Sequence, residues 1–254
     1  MKNQPVILAQ AHYRDLRNAT YELALLPWGA TEAHNLHLPY GTDIMESERI
    51  AAEAARLAAA RGAKIIVLPP VPFGVNTGQL DIPLTINMNP STQMAVLADV
   101  ASSLQQQGIR KLAILNGHGG NDFRQMIREL QPRFSLLFCQ INWWVCVDPR
   151  PFFQEPGDHA GELETSVMLH LAPDLVLPLS EAGSGAERKP RIPGFQEKWA
   201  WTPRQWTKVS QDTGIGDPSA ATEQKGKAFF TAVTEKIGAL LVELSAADPN
   251  DLYS

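Results

Sequence analysis

The sequence predicts an α/β fold in which a mostly parallel sheet is covered by helices on both faces. Three observations predict it. Short, continuously apolar runs have the length of strands; longer Ala-, Glu- and Arg-rich stretches with helical spacing lie between them; Gly and Pro punctuate the connections. A parallel strand is buried on both faces and so reads as an unbroken apolar run. Its return to the next parallel strand needs a crossover, usually a helix.

Glu22 to Trp28 is the first such run, ended by Gly29. Ile44 to Gly62 reads as a helix, with Asp43 where an N-cap would stand and Gly62 at the left-handed C-terminal position. Ala63 to Leu68 is a second strand, stopped by Pro69-Pro70, and an irregular stretch runs from Val71 to Pro90. Ser91 to Gln107 is helical, with apolar residues at Met94, Leu97, Ala98, Ala101 and Leu104, and Gly108 closes it. Lys111 to Leu115 is the third strand, Asp122 to Leu130 a helix, Ser135 to Trp143 the fourth strand and Gly161 to Leu171 a further helix. Pro178 to Ala220 breaks the alternation with five prolines, five glycines and Trp199, Trp201 and Trp206. It is expected to wrap the body or meet a neighbouring subunit. Glu223 to Leu244 closes the chain as an amphipathic helix.

With 254 residues, 44% hydrophobic and 19% charged, the chain can bury a sizeable core, and 1–254 reads as a single domain. Lys plus Arg total 22 against 27 acidic residues, a net charge of −5 that argues against nucleic acid and anionic lipid as partners. Cys139 and Cys146 are too few for a disulfide framework or a four-cysteine zinc site. The apolar stretch within residues 1–10 is too short for a secretory signal, and no run approaches the roughly 18 apolar residues that span a bilayer. A soluble cytoplasmic protein is expected.

In parallel sheets, chemistry gathers in the loops beyond the carboxyl ends of the strands. After the first strand come Glu32, His34, His37 and Asp43; after the third comes Asn116-Gly-His118-Gly-Gly-Asn121; after the fourth come Asp158, His159, Glu162 and Glu164. Four of the six histidines fall in these segments. Imidazole with carboxylate is a ligand set for zinc, manganese or iron. In an extended segment Glu32 and His34 point the same way, Asp43 can offer two oxygens to a pair of ions, and glycines beside His118 let the backbone crowd a metal.

Plainer readings stand beside these. Glu32 and His34 can form a surface ion pair; Asp43 can simply cap a helix. The 116–121 turn, with Gly119 at its centre, can cradle an anion with backbone amides, though it lacks the phosphate-loop signatures. Glu164 can be an ordinary exposed helix residue. His12 and His170 have no carboxylate motif beside them and read as structural.

Gly-Ala-Thr-Glu32-Ala-His34-x-x-His37-Leu-Pro-x-Gly-Thr-Asp43, Asn-Gly-His118-Gly-Gly-Asn and His159-Ala-Gly-x-x-Glu164-Thr-Ser together resemble the creatininase (creatinine amidohydrolase) family, over residues 22 to 175 and in the family's order. The resemblance implies a three-layer α/β/α sandwich, a centre of two divalent ions, zinc or manganese with iron also suited, and a homo-oligomer, commonly a hexamer. Carried over by motif, Glu32, His34, Asp43 and His118 match metal ligands, with Asp43 bridging. His37 and His159 match proton-transfer or supporting positions. Creatininase has a further ligand Glu where this chain has Gly120, and Glu164 is the natural replacement. Creatininase also has a Trp where Glu155 stands, and Trp144 lies in the matching strand, so an aromatic clamp for creatinine is half missing.

The expected activity is hydrolysis of a C–N bond in a small cyclic amide or amidine other than creatinine, by a metal-bridging hydroxide, with His159 or His37 protonating the leaving nitrogen. Trp144, Gly119, Asp158 and Glu155 are candidate substrate contacts, while Glu155, Asp158, Gln79 and Asn76 would favour a polyhydroxylated ligand over creatinine. An alternative within the family is ring opening of a sugar- or inositol-derived ketone or a nucleotide-derived ring. Alternatives of other classes are a non-catalytic nucleotide or sugar-phosphate binder, which would bind without metal, and a structural subunit.

Overall fold

In the computed structural model, which describes residues 4–253, four strands form one wholly parallel sheet in the order β2-β1-β3-β4. They are β1 (Leu23–Trp28), β2 (Ile65–Val67), β3 (Lys111–Asn116) and β4 (Leu137–Asn142). Every residue of β1, β2 and β3 is buried, as their unbroken apolar runs require. The helices in chain order are α1 (Tyr13–Leu16), α2 (Thr42–Ala60), α3 (Pro90–Gln106), α4 (Phe123–Leu130), α5 (Glu162–Leu171), α6 (Pro193–Gln196), α7 (Trp206–Val209) and α8 (Glu223–Ala246).

The strands' twofold alternation divides the core. Leu23, Leu25, Ile65, Val67, Ala113 and Leu115 face α2, α5 and α8, whose Ala51, Ala54, Ala55, Val167, Phe229 and Val233 pack on them. The intervening Ala24, Leu26, Ile66, Leu112 and Ile114 face α3 and α4 through Leu97, Ala101, Phe123 and Met126. This is the three-layer α/β/α sandwich expected.

Two local expectations are corrected. Asp43 does not cap α2: the cap position is Gly41, and Asp43 sits inside the first turn with its carboxylate turned to two histidines. Trp144 lies in a single 3-10 turn, Trp143–Val145, just after β4 rather than within the strand. The irregular 178–220 segment wraps its own chain. Gly78 O accepts from Trp206 N–H at 3.0 Å, His159 and Ile215 pair through their backbones, and Asn35 Nδ2 donates to Gly183 O at 3.0 Å. Each tie is to a loop at the carboxyl edge of the sheet.

Gly226 explains how α8 approaches α5. A Cβ at this position would run into the carbonyl of Ser166, so two helix backbones touch where any side chain would separate them. Gly226→Ala is therefore expected to lower unfolding stability by about 2–4 kcal/mol, an overpacking cost at a contact that backbone shifts alone can relieve. A lowered denaturant midpoint with unchanged m-value would show it; a change within about 0.5 kcal/mol would refute it.

Candidate metal centre

The strand order reverses between β1 and β3. β1 is followed to one side by β2, and the chain then returns to add β3 on the other. Ligands bind at such switch points beyond the strand ends. Here the loop after β1 carries Glu32 and His34, and the turn after β3 carries His118. A Cβ at Gly117, immediately before His118, would come within 2.7 Å of Asp43 O, so the start of α2 lies directly against the end of β3.

Asp43 is the centre of the cluster. Its Oδ1 lies 2.9 Å from His34 Nε2, and its Oδ2 lies 3.1 Å from His118 Nδ1. Glu32 Oε1 is 2.9 Å from His118 Nδ1 and 3.8 Å from His159 Nδ1. Three groups have donor atoms within 4.8 Å of one another: Glu32, Asp43 and His118; His34, Asp43 and Glu164; Glu32, His34 and His159. Two of the three share Asp43.

The remote nitrogens of the three rings are fixed by backbone carbonyls. His34 Nδ1 faces Glu32 O at 3.2 Å, His118 Nε2 faces Val75 O at 3.1 Å, and His159 Nε2 faces Ala33 O at 2.9 Å. A carbonyl only accepts, so these nitrogens carry the N–H, and the neutral ring turns its bare nitrogen to the carboxylates. This is the support that orients metal-binding imidazoles. Carboxylates are held in turn: Gln79 Nε2 donates to Glu32 Oε2, and Ala160 N–H donates to Glu164 Oε2.

Electrostatics reflect five titratable groups crowded out of water. Burial opposes the charged form of His34, yet the adjacent Asp43 carboxylate outweighs it and raises the imidazole to about 10. His118 is likewise raised against burial by Glu32 and Asp43. Burial pushes Asp43 and Glu32 up, but the histidines beside them hold both below the carboxylate range. Burial raises Glu164. Without a cation, protons on His34 and His118 neutralise the carboxylates.

A metal must displace those protons. Loading at pH 8 should release about two protons per subunit, read by calorimetry in buffers of different ionisation enthalpy. Apparent metal affinity should climb with pH toward about 10, where His34 becomes neutral unaided. In metal-free protein the sign is opposite. The raised folded-state pKa of His34 contributes stability that is complete below about 6.5 and is lost as pH rises through about 10. Proton uptake on loading, or none, would contradict the assignment.

The structure brings Glu32, His34, Asp43, His118, Glu164 and His159 together, and leaves two expected residues out. His37 Nε2 is hydrogen-bonded to Thr165 Oγ1 at 2.8 Å; the ring does not line the cavity, and burial followed by the His34 charge lowers it to about 4. Glu155 is exposed, its backbone N–H donates to Glu162, and it too is absent from the cavity lining. Gly119, Trp144 and Asp158 do line the cavity, Asp158 in an ion pair with Arg204 at 2.5 Å. Gln79 and Asn76 also line it, but the Gln79 amide is spent on Glu32.

Two participants escaped the sequence reading. Glu46 is fully buried, and neither of its oxygens has a hydrogen-bond partner; burial, with Glu164 and Asp43 nearby, raises it well above the usual carboxylate range. Its spacing of three from Asp43 on one helix face was the available signal. Trp206 packs its ring centroid 4.7 Å from that of His159, and the Arg204 guanidinium lies over the same indole, 5.6 Å from its centroid. Nothing in the sequence marked it beyond its residue type.

A family model described as creatinine amidohydrolase matches residues 9–241, well past the segment that the three motifs span. A mycofactocin precursor peptide peptidase of Mycolicibacterium smegmatis is 28% identical over 213 residues, 82% of this chain and 79% of that protein. A solved structure from Bacteroides fragilis, provisionally described as a creatinine amidohydrolase, is 45% identical with a TM-score of 0.92 and covers 100% of both chains. A manganese form of creatininase has a TM-score of 0.79 at 20% identity, covering 95% of this chain and 99% of that one, a likeness of fold.

Proposed function

This chain belongs to the creatininase family, and we propose from that premise that its cluster holds two divalent ions, zinc or manganese, and hydrolyses a C–N amide bond. Asp43 carries the reading. A carboxylate with one oxygen at each of two histidines, buried among Glu32 and Glu164, is suited to bridging a pair of ions. Glu32, Asp43 and His118 would hold one ion; His34, Asp43 and Glu164 would hold the other. The three carboxylates Glu32, Asp43 and Glu164 exceed the charge of a single dication, and two dications would leave one positive charge toward the substrate. When bound, such ions polarise a carbonyl and acidify water.

The chain's own residues do the rest. Gln79 fixes the free oxygen of Glu32. Trp206 packs on His159, and residues 187–209 form the outer wall of the cavity over the centre. His159, anchored at Nε2, turns its Nδ1 toward Glu32 Oε1 at 3.8 Å, where it is placed to take a proton and return it to the leaving nitrogen. Creatinine is a poor fit. The cavity over the centre has a volume of about 2040 Å³, above the roughly 300–1,000 Å³ of ordinary small-molecule pockets, and Glu155 supplies no clamp. The mycobacterial relative, by name a peptide peptidase, extends the amide class from small rings to peptide bonds. We also propose a homo-oligomer, hexameric by resemblance, in the cytoplasm; exposed Trp199, which stands outside the cavity lining, and two unpaired thiols support these readings.

The test is metal content by elemental mass spectrometry with turnover of a panel of cyclic and linear amides. About two equivalents of metal with chelator-sensitive hydrolysis is expected. A chain that takes up no zinc or manganese would overturn the reading. His159→Ala should keep its metal and lose about 10²–10⁴-fold in kcat. Loss of metal together with rate would make His159 a ligand instead, and an unchanged rate would remove it from the chemistry.

A further inference from the structure

The outer wall of the cavity has a charge opposite to that of the whole chain. Between residues 188 and 208 stand six basic residues and one acid, Glu197, in a protein of net charge −5. All six bases (Arg188, Lys189, Arg191, Lys198, Arg204 and Lys208) line the same cavity as Glu32, Asp43, His118 and Glu164. Lys189 is paired with Glu187, and Arg204 with Asp158. Arg188, Arg191, Lys198 and Lys208 are exposed and have no ion-pair partner among the described residues. A run of charges is usually a solvated face, but this one encloses a site, together with Phe195 and Trp201.

We propose that the substrate is an acidic peptide, whose scissile amide sits at the carboxylate–histidine centre and whose side-chain carboxylates lie along the wall of Arg188, Arg191, Lys198 and Lys208. The inference rests on the amidohydrolase reading and deepens it. Size argues for a chain of several residues, because a single small ring would leave most of about 2040 Å³ unfilled. The kind of donor argues for carboxylates rather than a phosphate. A phosphate site gathers its donors, typically backbone N–H groups at a helix N-terminus or nest. Here the donors are four long, exposed side chains on one wall of the cavity, not backbone N–H groups at a helix N-terminus. Aromatic surface at Trp201 and Phe195 can pack the aliphatic parts of such a chain. Field lines from an unpaired basic wall at a cleft also raise the encounter rate of an anionic substrate.

The test measures binding of N-acetyl-pentaglutamate amide, N-acetyl-pentaglutamine amide and inorganic tripolyphosphate to the zinc-loaded protein by calorimetry. At low salt the glutamate peptide is expected to bind at least about tenfold tighter than the glutamine peptide, a preference that shrinks in 0.5 M salt. The combined variant R188Q/R191Q/K198Q/K208Q should abolish the preference, and Arg188→Gln and Lys208→Gln singly should each reduce it about two- to fivefold. Arg128→Gln, on the exposed side of α4, should leave it intact. Equal binding of the two peptides, or a preference that survives the combined variant, would overturn the proposal. Tighter binding of tripolyphosphate than of the acidic peptide would overturn it in favour of a phosphate ligand. Tight acidic-peptide binding with no cleavage of any amide would count against the hydrolase reading and leave the wall in place. Cleavage of acidic and neutral peptides with equal KM would do the reverse.

Discussion

Asp43→Asn is expected to strip the centre of bound metal and to lower amide hydrolysis by about 10³-fold or more. The reason is that each carboxylate oxygen faces an imidazole nitrogen, one at 2.9 Å from His34 Nε2 and one at 3.1 Å from His118 Nδ1. Asparagine keeps the shape but turns one acceptor into an N–H donor. That donor would repel an ion, or would hydrogen-bond the bare nitrogen of a ligand imidazole and so occupy it at the metal's expense. The substitution also has a metal-free signature. It removes the carboxylate that most stabilises the His34 imidazolium, so two buried rings lose part of their neutralising charge. Removing one partner of a buried ion pair costs about 3–5 kcal/mol.

The pH dependence of that loss has a definite sign. Asp43 titrates below its ordinary value in the folded chain because His34 and His118 outweigh burial. Its contribution is therefore present above the unfolded value near 3.8 and lost as pH falls through the folded one. Wild type and variant should differ most in chelator at neutral pH and converge in acid. Elemental analysis and thermal unfolding with chelator would check both parts. A variant that retains two equivalents of metal would exclude Asp43 as the bridge.

How much of this was legible in the sequence depends on whether a residue's neighbours are local. The strands were legible because a doubly buried parallel strand leaves an unbroken apolar run, as Leu23–Trp28 does. The helices between them followed from periodicity, with ends displaced by only a few residues. Glu32, His34, Asp43 and His118 were legible because each follows a strand end, where the fold concentrates its loops. Gln79 was read as a substrate contact because nothing periodic places residues 71–90; only the folded chain shows its amide on Glu32. His37 carried the family's motif, yet the turn between His34 and Leu38 directs it to Thr165. Trp206 lies 47 positions after His159, and no local pattern reports that its ring packs on the histidine. What the sequence could not show is long-range contact made by irregular chain.

On the proposed two-ion centre, Glu164→Gln should lower bound metal by about one equivalent and kcat by about 10²-fold or more, with Gly120→Glu failing to restore either. The two positions are coupled through space. The family resemblance places a ligand glutamate at 120, but here a Cβ at that position would run into His118 Nε2 and Val75 O, the pair whose hydrogen bond sets the ring. The turn is therefore built for glycine, and a side chain there must displace His118 before it can offer an oxygen. Glu164 reaches the same centre from the first turn of α5, its Oε2 held by Ala160 N–H and its donor atoms grouped with those of His34 and Asp43. Ala160 adopts φ +51, an uncommon conformation for a residue with a Cβ, which aims its N–H at Glu164. A glutamine at 164 keeps the length and can still accept that bond, so the loss should be of charge rather than of fold, with little change in thermal stability in chelator. Metal titration of the single variants and the double variant separates the possibilities. Gly120→Glu alone should already weaken binding at the His118 side, and the double variant should be worse than either single one. Recovery of metal and rate in the double variant would show that the turn can yield, and that position 120 remains an open ligand site in this chain.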